Sequence, residues 1–369
     1  MIAAAVSAVL GMVAGAAVLS GAAFAMETHT APEKTIRVMT WNACGNNPGC
    51  KFYDNPTGLV GTVVWHMQNH GAYADAAIIQ EFCRSQAVTL EARLEAAYGY
   101  GWDVRFAPIK VKKTDTPETS PNKQCVQGRG DYGIAIAVPD ENTWWEPRYL
   151  PSPTNAEWRV AMCATVDSWW VKICNAHLSY NGDDPDYGFR TQQVAAYKSF
   201  VSPSRFRVIF GGDFNLQPPA VVGYAGGGMT PIYDEFVECA QADQSSPRTG
   251  PGTFYTTKPH DNSHMVKFDY LFADPPLPHT CGRVGGGPVE SSDHMPIWMT
   301  VDMPAHVTGT VTRSASGGCL LLNGYWLLDG PSDVIHEGAR VTVTGRVESG
   351  DHSGCQQGTA LRVETAEPA

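Results

Sequence analysis

The sequence predicts an α/β fold: a two-sheet β-sandwich flanked by helices, followed by a small C-terminal all-β module of OB-like type. Three observations carry this. Strand-like runs alternate with helical ones along most of the chain. Polar residues recur at the ends of the apolar runs. After Pro304 the pattern turns to short β runs separated by glycine-rich turns. With 369 residues and 43% hydrophobic content, the chain can bury more than one core.

Taken in order, the first 25 residues read as a signal peptide. Residues 2–24 are uncharged and rich in Ala, Val, Leu and Gly, and Ala23-Phe24-Ala25 is a small-x-small cleavage site. No Lys or Arg precedes the apolar run, and a retained membrane anchor is the competing reading. Residues 26–35 are polar and read as a loose leader. Residues 36–42 alternate as a strand, 56–70 as a helix, and 76–80 as an apolar strand ending in Glu81. A helix over 85–98 precedes strands at 102–107, 132–138, 144–150, 157–167 and 169–177. A helix over 188–201 leads to a strand at 206–210, and two more strands follow at 266–272 and 297–301. The domain expected from these elements spans residues 26–304, and residues 305–369 form the small module. No internal repeat is evident.

Ten cysteines, none in a CxxC spacing, fit an exported chain with disulfides and argue against zinc knuckles or thioredoxin chemistry. Neighbour pairing gives Cys44–Cys50, Cys83–Cys125, Cys163–Cys174, Cys239–Cys281 and Cys319–Cys355, one of several connectivities open to ten cysteines. The formal charge of −11 argues against tight, non-catalytic binding to a nucleic-acid backbone. It leaves room for an enzyme whose bound cations offset its acids. The one local basic cluster is Lys110, Lys112, Lys113, Lys123 and Arg129, which reads equally as a phosphate-facing patch or a solvated loop.

Six strand ends carry polar groups in series: Asn42, Glu81, His177, Asp213 with Asn215, Asp269, and Asp293 with His294. One acid at a strand end is an ordinary turn residue. Six in series point to a shared rim, as a metal-assisted phosphoester hydrolase requires. The pieces Thr40-Trp41-Asn42, Gln80-Glu81, Tyr132-Gly133-Ile134-Ala135-Ile136, Asn175-Ala176-His177-Leu178, Arg190 with Gln193, Gly212-Asp213-Phe214-Asn215, Phe268-Asp269-Tyr270 and Ser292-Asp293-His294-Met295-Pro296 cover residues 36–302. In this order they resemble the endonuclease/exonuclease/phosphatase superfamily, which includes deoxyribonuclease I, abasic-site endonucleases, bacterial sphingomyelinases and inositol-polyphosphate 5-phosphatases. One departure stands out: many members carry Asn at the position of Ile134, which has no hydrogen-bonding side chain.

The resemblance implies a deoxyribonuclease I-like sandwich and a set of roles. Glu81 would bind Mg²⁺ (Mn²⁺ or Ca²⁺ being alternatives), supported by Asn42 and Asp293. Asp213 would orient or deprotonate the attacking water, and Asn215 would hold the phosphate. His177 would hydrogen-bond a phosphate oxygen, and Asp269 would fix the tautomer of His294. Whether Asp213 or His294 is the base stays open. Tyr132 reads as either core or phosphate contact. Arg190 reads as a substrate contact, against a residue that faces solvent or pairs with an acid on its own helix. His66/His70 and His260/His264 have a spacing that can bind zinc, but each reads as a solvated pair.

The expected function is a secreted, extracellular phosphodiesterase, most simply an endonuclease acting on DNA or RNA, monomeric and without a stable protein partner. The alternatives are a sphingomyelinase or phosphoinositide phosphatase acting on lipid headgroups, for which Trp144-Trp145 and Trp169-Trp170 are the candidate membrane contacts, and a catalytically silent binding module.

Overall fold

In a computed structural model, the protein is described over residues 28–69, 73–140, 143–202, 204–221, 226–241, 248–256, 265–277, 279–283, 291–349, 355 and 357–369. The segment expected to be a signal peptide, His70 and the His260/His264 pair lie outside these residues.

Two six-stranded sheets pack face to face. One has the spatial order His279–Arg283, Ile297–Met303, Lys34–Asn42, Ala76–Cys83, Tyr132–Pro139, Trp102–Pro108. The other runs Val237–Glu238, Asp269–Ala273, Arg207–Asp213, Val171–His177, Val160–Val166, Thr143–Tyr149. Each has one parallel pair at its centre, with antiparallel strands on both sides. The crossover of each pair contains a helix, Pro56–Asn69 (α1) in the first sheet and Gly188–Val201 (α3) in the second. The two halves thus repeat one topology without a sequence repeat to announce it.

Strand alternation sets the layers. Ile36, Val38, Ile78, Ile136, Ile173 and Ile209 point between the sheets. Met39, Trp41, Ala77 and Ile79 point outward under α1 and the helix Arg84–Tyr98 (α2). Phe210 and Phe272 point outward under α3. Ile134 is fully buried in the inter-sheet core, so the missing amide at this position is replaced by packing. The two apolar faces are joined by a polar contact near the rim. Asn175 of the second sheet donates to the carbonyls of Ile79 and Ala135 in the first, both at 2.9 Å, and accepts from Gln80 at 2.7 Å. Both polar atoms of the Asn175 amide are thereby satisfied, and the contact fixes the register of one sheet on the other.

Beyond Pro304 the chain forms a five-stranded barrel. The run from Ala305–Thr310 into Thr312–Arg313 pairs with Arg340–Val347 on one side and Leu320–Leu322 on the other, and Thr359–Pro368 and Tyr325–Leu328 complete the circuit, these two in parallel. This is the OB-like architecture, with its own core around Val307, Leu322, Val343 and Leu361.

The expected loose leader is a correction. His29–Ala31 is a strand that covers the free edge of His306–Thr308, and Asn323 donates to the carbonyls of His29 and Thr308 and to the Thr30 hydroxyl. A polar stretch without periodicity still orders when it can pair its backbone with an open barrel edge. The strand expected over 157–167 is broken as well: Glu157–Trp158 pairs with Lys110–Val111, and a new strand starts at Val160. All five neighbouring cysteine pairs are at disulfide distance. Cys163 and Cys174 face each other directly across adjacent strands.

His66 is not on a solvated face. It is buried, with its ring edge-on to Trp41 at 4.9 Å. The basic cluster at 110–129 is turned inward: Lys110 and Lys112 donate to the carbonyls of Pro117 and Ser152, Lys123 pairs with Glu157, and Arg129 donates to the Gly45 carbonyl. Four of its five cations are thereby used in holding their own loop.

Candidate active site

A parallel pair brings both C-terminal strand ends to the same edge of its sheet. The two central pairs therefore deliver Asn42 beside Gln80-Glu81, and His177 beside Asp213, to one rim. The antiparallel neighbours add residues at the same level. Asp269 is the register partner of Asp213, and Asp293-His294 lie just before Ile297, which pairs with Thr40.

Local structure aims these groups. Gly211 and Gly212 precede Asp213 because a Cβ at Gly212, where φ is 130°, would collide with the Ala176 carbonyl, and one at Gly211 with that of Tyr270. Glu81 has φ 55° and sits with Gln80 at a bulge opposite Ile134, which turns its carboxylate to the rim. Ser292 donates to the Asn42 carbonyl at 2.7 Å and accepts from the His294 N–H at 3.0 Å. Trp41 Nε1 donates to the His294 carbonyl at 3.0 Å.

Asp213 is the centre. Its Oδ2 accepts from Asn42 Nδ2 at 3.0 Å and lies 3.4 Å from His177 Nε2 and 3.7 Å from His294 Nε2. Its Oδ1 accepts from the Asn215 N–H at 2.9 Å. His294 Nδ1 meets Asp269 Oδ2 at 2.8 Å, so the expected Asp269–His294 pair is present. Burial pushes the Asp213 carboxyl up to about 7, even against the charge of His294. Burial alone would lower the His294 pKa, but the carboxylates of Asp269 and Asp213 outweigh it and carry it to about 10. His177 goes the other way: burial and the charge of Arg159 hold it well below 6.5. One carboxylate thus stands between a neutral and a protonated imidazole.

Asn42 also donates to Glu81 Oε1 at 3.1 Å, while its side-chain Oδ1 accepts from the Cys44 N–H. In this orientation it links two carboxylates through its amide nitrogen and does not offer an oxygen to a metal. Burial, and then the neighbouring charge of Asp293, raise the Glu81 carboxyl above its usual range. Among the described residues Asp213, Asp269 and His294 also lie close enough together to share an ion. Both ring nitrogens of His294 already face carboxylates, Nδ1 at Asp269 and Nε2 at Asp213, which leaves Glu81 and Asp293 as the better-fitting donors for a hard cation. Cys44 and Cys50 stand beside Asp293, but their sulfurs are spent in a disulfide.

Tyr132 is buried next to Glu81, whose charge, after burial itself, keeps the phenol protonated. Arg190 faces neither solvent nor a substrate space. It is fully buried, binds the Asp184 carboxylate and carbonyl, and donates to the Asn215 carbonyl at 2.5 Å. Gln193, one turn on, takes the Ser179 N–H. These two residues of α3 brace the loops after both central strands of the second sheet, so the expected substrate contact at Arg190 is corrected to a positioning role.

Arg159 escaped the sequence reading. It is buried, ion-paired through one nitrogen to Glu157 at 3.3 Å and Asp183 at 3.6 Å, while Nε and Nη1 make no hydrogen bond among the described residues. Its charge acts on His177, Glu81 and Tyr132, which places it along the same rim. The available signal was a cation inside an apolar run, where burial demands partners.

Residues 39–294 match the model of the Endonuclease/Exonuclease/phosphatase family. Among solved structures, the endonuclease/exonuclease/phosphatase from Beutenbergia cavernae DSM 12333 is similar at 16% identity and TM-score 0.52, covering 90% of this chain and 92% of that one. The corresponding protein from Bacteroides vulgatus is 17% identical with TM-score 0.51, covering 73% and 98%. TDP2 from Caenorhabditis elegans is 18% identical with TM-score 0.50, covering 73% and 74%. At these identities the likeness is one of fold. No curated protein matches the chain.

Proposed function

The chain belongs to the endonuclease/exonuclease/phosphatase family, and from that premise we propose that it is a secreted, divalent-metal-dependent phosphodiesterase that hydrolyses nucleic acid. The observation that carries the reading is Asp213 set between a neutral His177 and a protonated His294.

A carboxyl whose pKa is about 7 accepts a proton near neutral pH, so Asp213 is the base that takes a proton from the attacking water. His294, held by Asp269, keeps its proton and offsets negative charge that grows on the phosphate. Of the two candidates left open by the sequence, Asp213 is the base in this reading. His177 stays neutral and donates one N–H to a phosphate oxygen. Arg159, whose Nε and Nη1 have no hydrogen-bond partner among the described residues, adds positive charge along the same rim. Glu81 and Asp293 would hold Mg²⁺, or Mn²⁺ or Ca²⁺ through the same oxygen donors, with Asn42 spacing them from Asp213. A bound ion supplies Lewis-acid polarisation of the phosphoryl oxygen and offsets charge on the leaving group.

Export is supported by the five disulfides and the uncharged apolar segment over residues 2–24. A membrane substrate has less support: Trp145 donates to Asp103, Trp169 is buried, and of the four tryptophans considered only Trp144 is largely exposed. The charged and partly unsatisfied rim argues against a silent module.

The test is cleavage of supercoiled plasmid and of a labelled RNA in Mg²⁺, in EDTA, and by Asp213→Ala. Metal-dependent cleavage of either, lost in both controls, supports the reading. No cleavage of either, with release of headgroups from sphingomyelin or phosphoinositide vesicles, overturns the substrate assignment.

A further inference from the structure

At the end of the sandwich away from the catalytic rim, a cavity of about 190 Å³ lies between the sandwich and the barrel. Arg207 lines it at the start of the strand that ends in Asp213. At about 3.3 Å per residue the two ends are roughly 20 Å apart. Arg205 and Arg207 make no ion pair among the described residues, in a chain whose net charge is −11. Arg205 instead lies over the rings of Trp170 and Phe206, at 5.6 and 4.9 Å. From the barrel side His306 stacks on Trp170 at 3.6 Å. His306 is 8% exposed, and its Nε2 is buried with no hydrogen-bond partner. The hydroxyls of Thr342 and Thr344 line the same wall. Two unpaired guanidiniums around an orphaned imidazole nitrogen make a site for an oxyanion.

The surface beside the cavity narrows the ligand. Trp170, Phe206 and Trp144 form a row with ring centroids 4.5 and 6.2 Å apart, and Trp144 is 54% exposed on the edge strand. Aromatic faces beside arginines hold unpaired bases next to their phosphates. Two acids also line the cavity. Asp274 accepts the Val208 N–H and its charge acts on Arg207, while Glu367 is exposed; both oppose an anion.

We propose that the seam between sandwich and barrel is a second binding site, distant from the catalytic rim, for a backbone phosphate of single-stranded nucleic acid, with the neighbouring bases against Phe206 and Trp144. The proposal rests on the nucleic-acid reading of the enzyme.

The test is fluorescence anisotropy of a labelled 20-nucleotide single strand in EDTA, where hydrolysis does not intervene. The same proteins are assayed in Mg²⁺ on bis(p-nitrophenyl) phosphate, which is too small to span both sites. Replacing both residues (Arg205→Ala with Arg207→Ala) is expected to weaken strand binding about tenfold. It should also reduce the slope of log K against log salt by about 0.7, as expected for the loss of one phosphate contact, and leave turnover of the small diester unchanged. Glu367→Gln, which keeps the fold and removes the opposing charge, is expected to tighten binding. Strand binding that is unaffected by all three substitutions overturns the proposal. So does a strand that fails to bind while inorganic phosphate still protects the arginines from modification by phenylglyoxal, an outcome that assigns the cavity to a free anion. Turnover of the small diester without cleavage of any nucleic acid would instead overturn the functional reading, and the binding result stands apart from it.

Discussion

The Lys34–Asn42/Ala76–Cys83 pair ends in an amide and a carboxylate, and each loop is closed by a disulfide that starts two residues further on, at Cys44 and Cys83. The Val171–His177/Arg207–Asp213 pair ends in an imidazole and a carboxylate, and its loops are held by hydrogen bonds from Arg190 and Gln193 of α3. The topology is the same and the chemistry differs. The first pair gathers carboxylate charge for a cation and is braced covalently. The second sets proton positions and is braced by a polar network. A repeated topology thus gives two frames at one rim, and each brace suits what its frame must hold.

If that division is right, Asp213→Asn should lower kcat by about 10³–10⁴-fold without raising the Mg²⁺ needed for half-maximal rate, as measured by metal titration of the steady-state rate. Glu81→Gln should do the reverse: roughly a hundredfold loss at low Mg²⁺, largely recovered as the metal is raised. An equal shift in metal requirement in both variants would break the comparison.

The pH profile sharpens it. Asp213 must lose its proton and His294 must keep its own, so kcat/KM should rise through about pH 7 and fall through about pH 10. In Asp269→Asn the imidazolium loses its nearest counter-charge, and the alkaline limb should move down. An alkaline limb that stays in place would detach His294 from the proton chemistry.

Smaller effects separate the braces. Arg190→Ala removes a buried ion-pair partner and should cost about 3 kcal/mol in urea unfolding, with about tenfold in kcat and no change in metal requirement. Removing Cys44–Cys50 by paired Ser substitution should raise the required Mg²⁺ a few-fold. The same change at Cys163–Cys174, whose sulfurs pack on the α3 side, should cost stability alone.

The rim was legible because each of its groups ends an apolar strand, and strand ends can be read locally. The order of strands was not, because parallel pairing joins residues far apart in sequence. Arg190 and Arg159 show the same limit from two sides. The helix pattern placed Arg190 correctly on α3, but its buried contacts are with Asp184 and Asn215, off that helix. Arg159 sat within what read as one continuous strand, and only the break between Trp158 and Val160 gives it its place at the site. His66 and the loop lysines were misjudged because sequence does not say which face of an element another layer will cover.

The His29–Ala31 strand has a consequence for how the chain reaches this state. It is made early in synthesis, yet its partners His306–Thr308 come late, so the pairing closes nearly the whole chain into one loop. The barrel edge is capped only when both ends are present. A chain cut near Pro304 loses the barrel and also frees the His29–Ala31 strand from its partner, so the two modules should unfold as one cooperative unit.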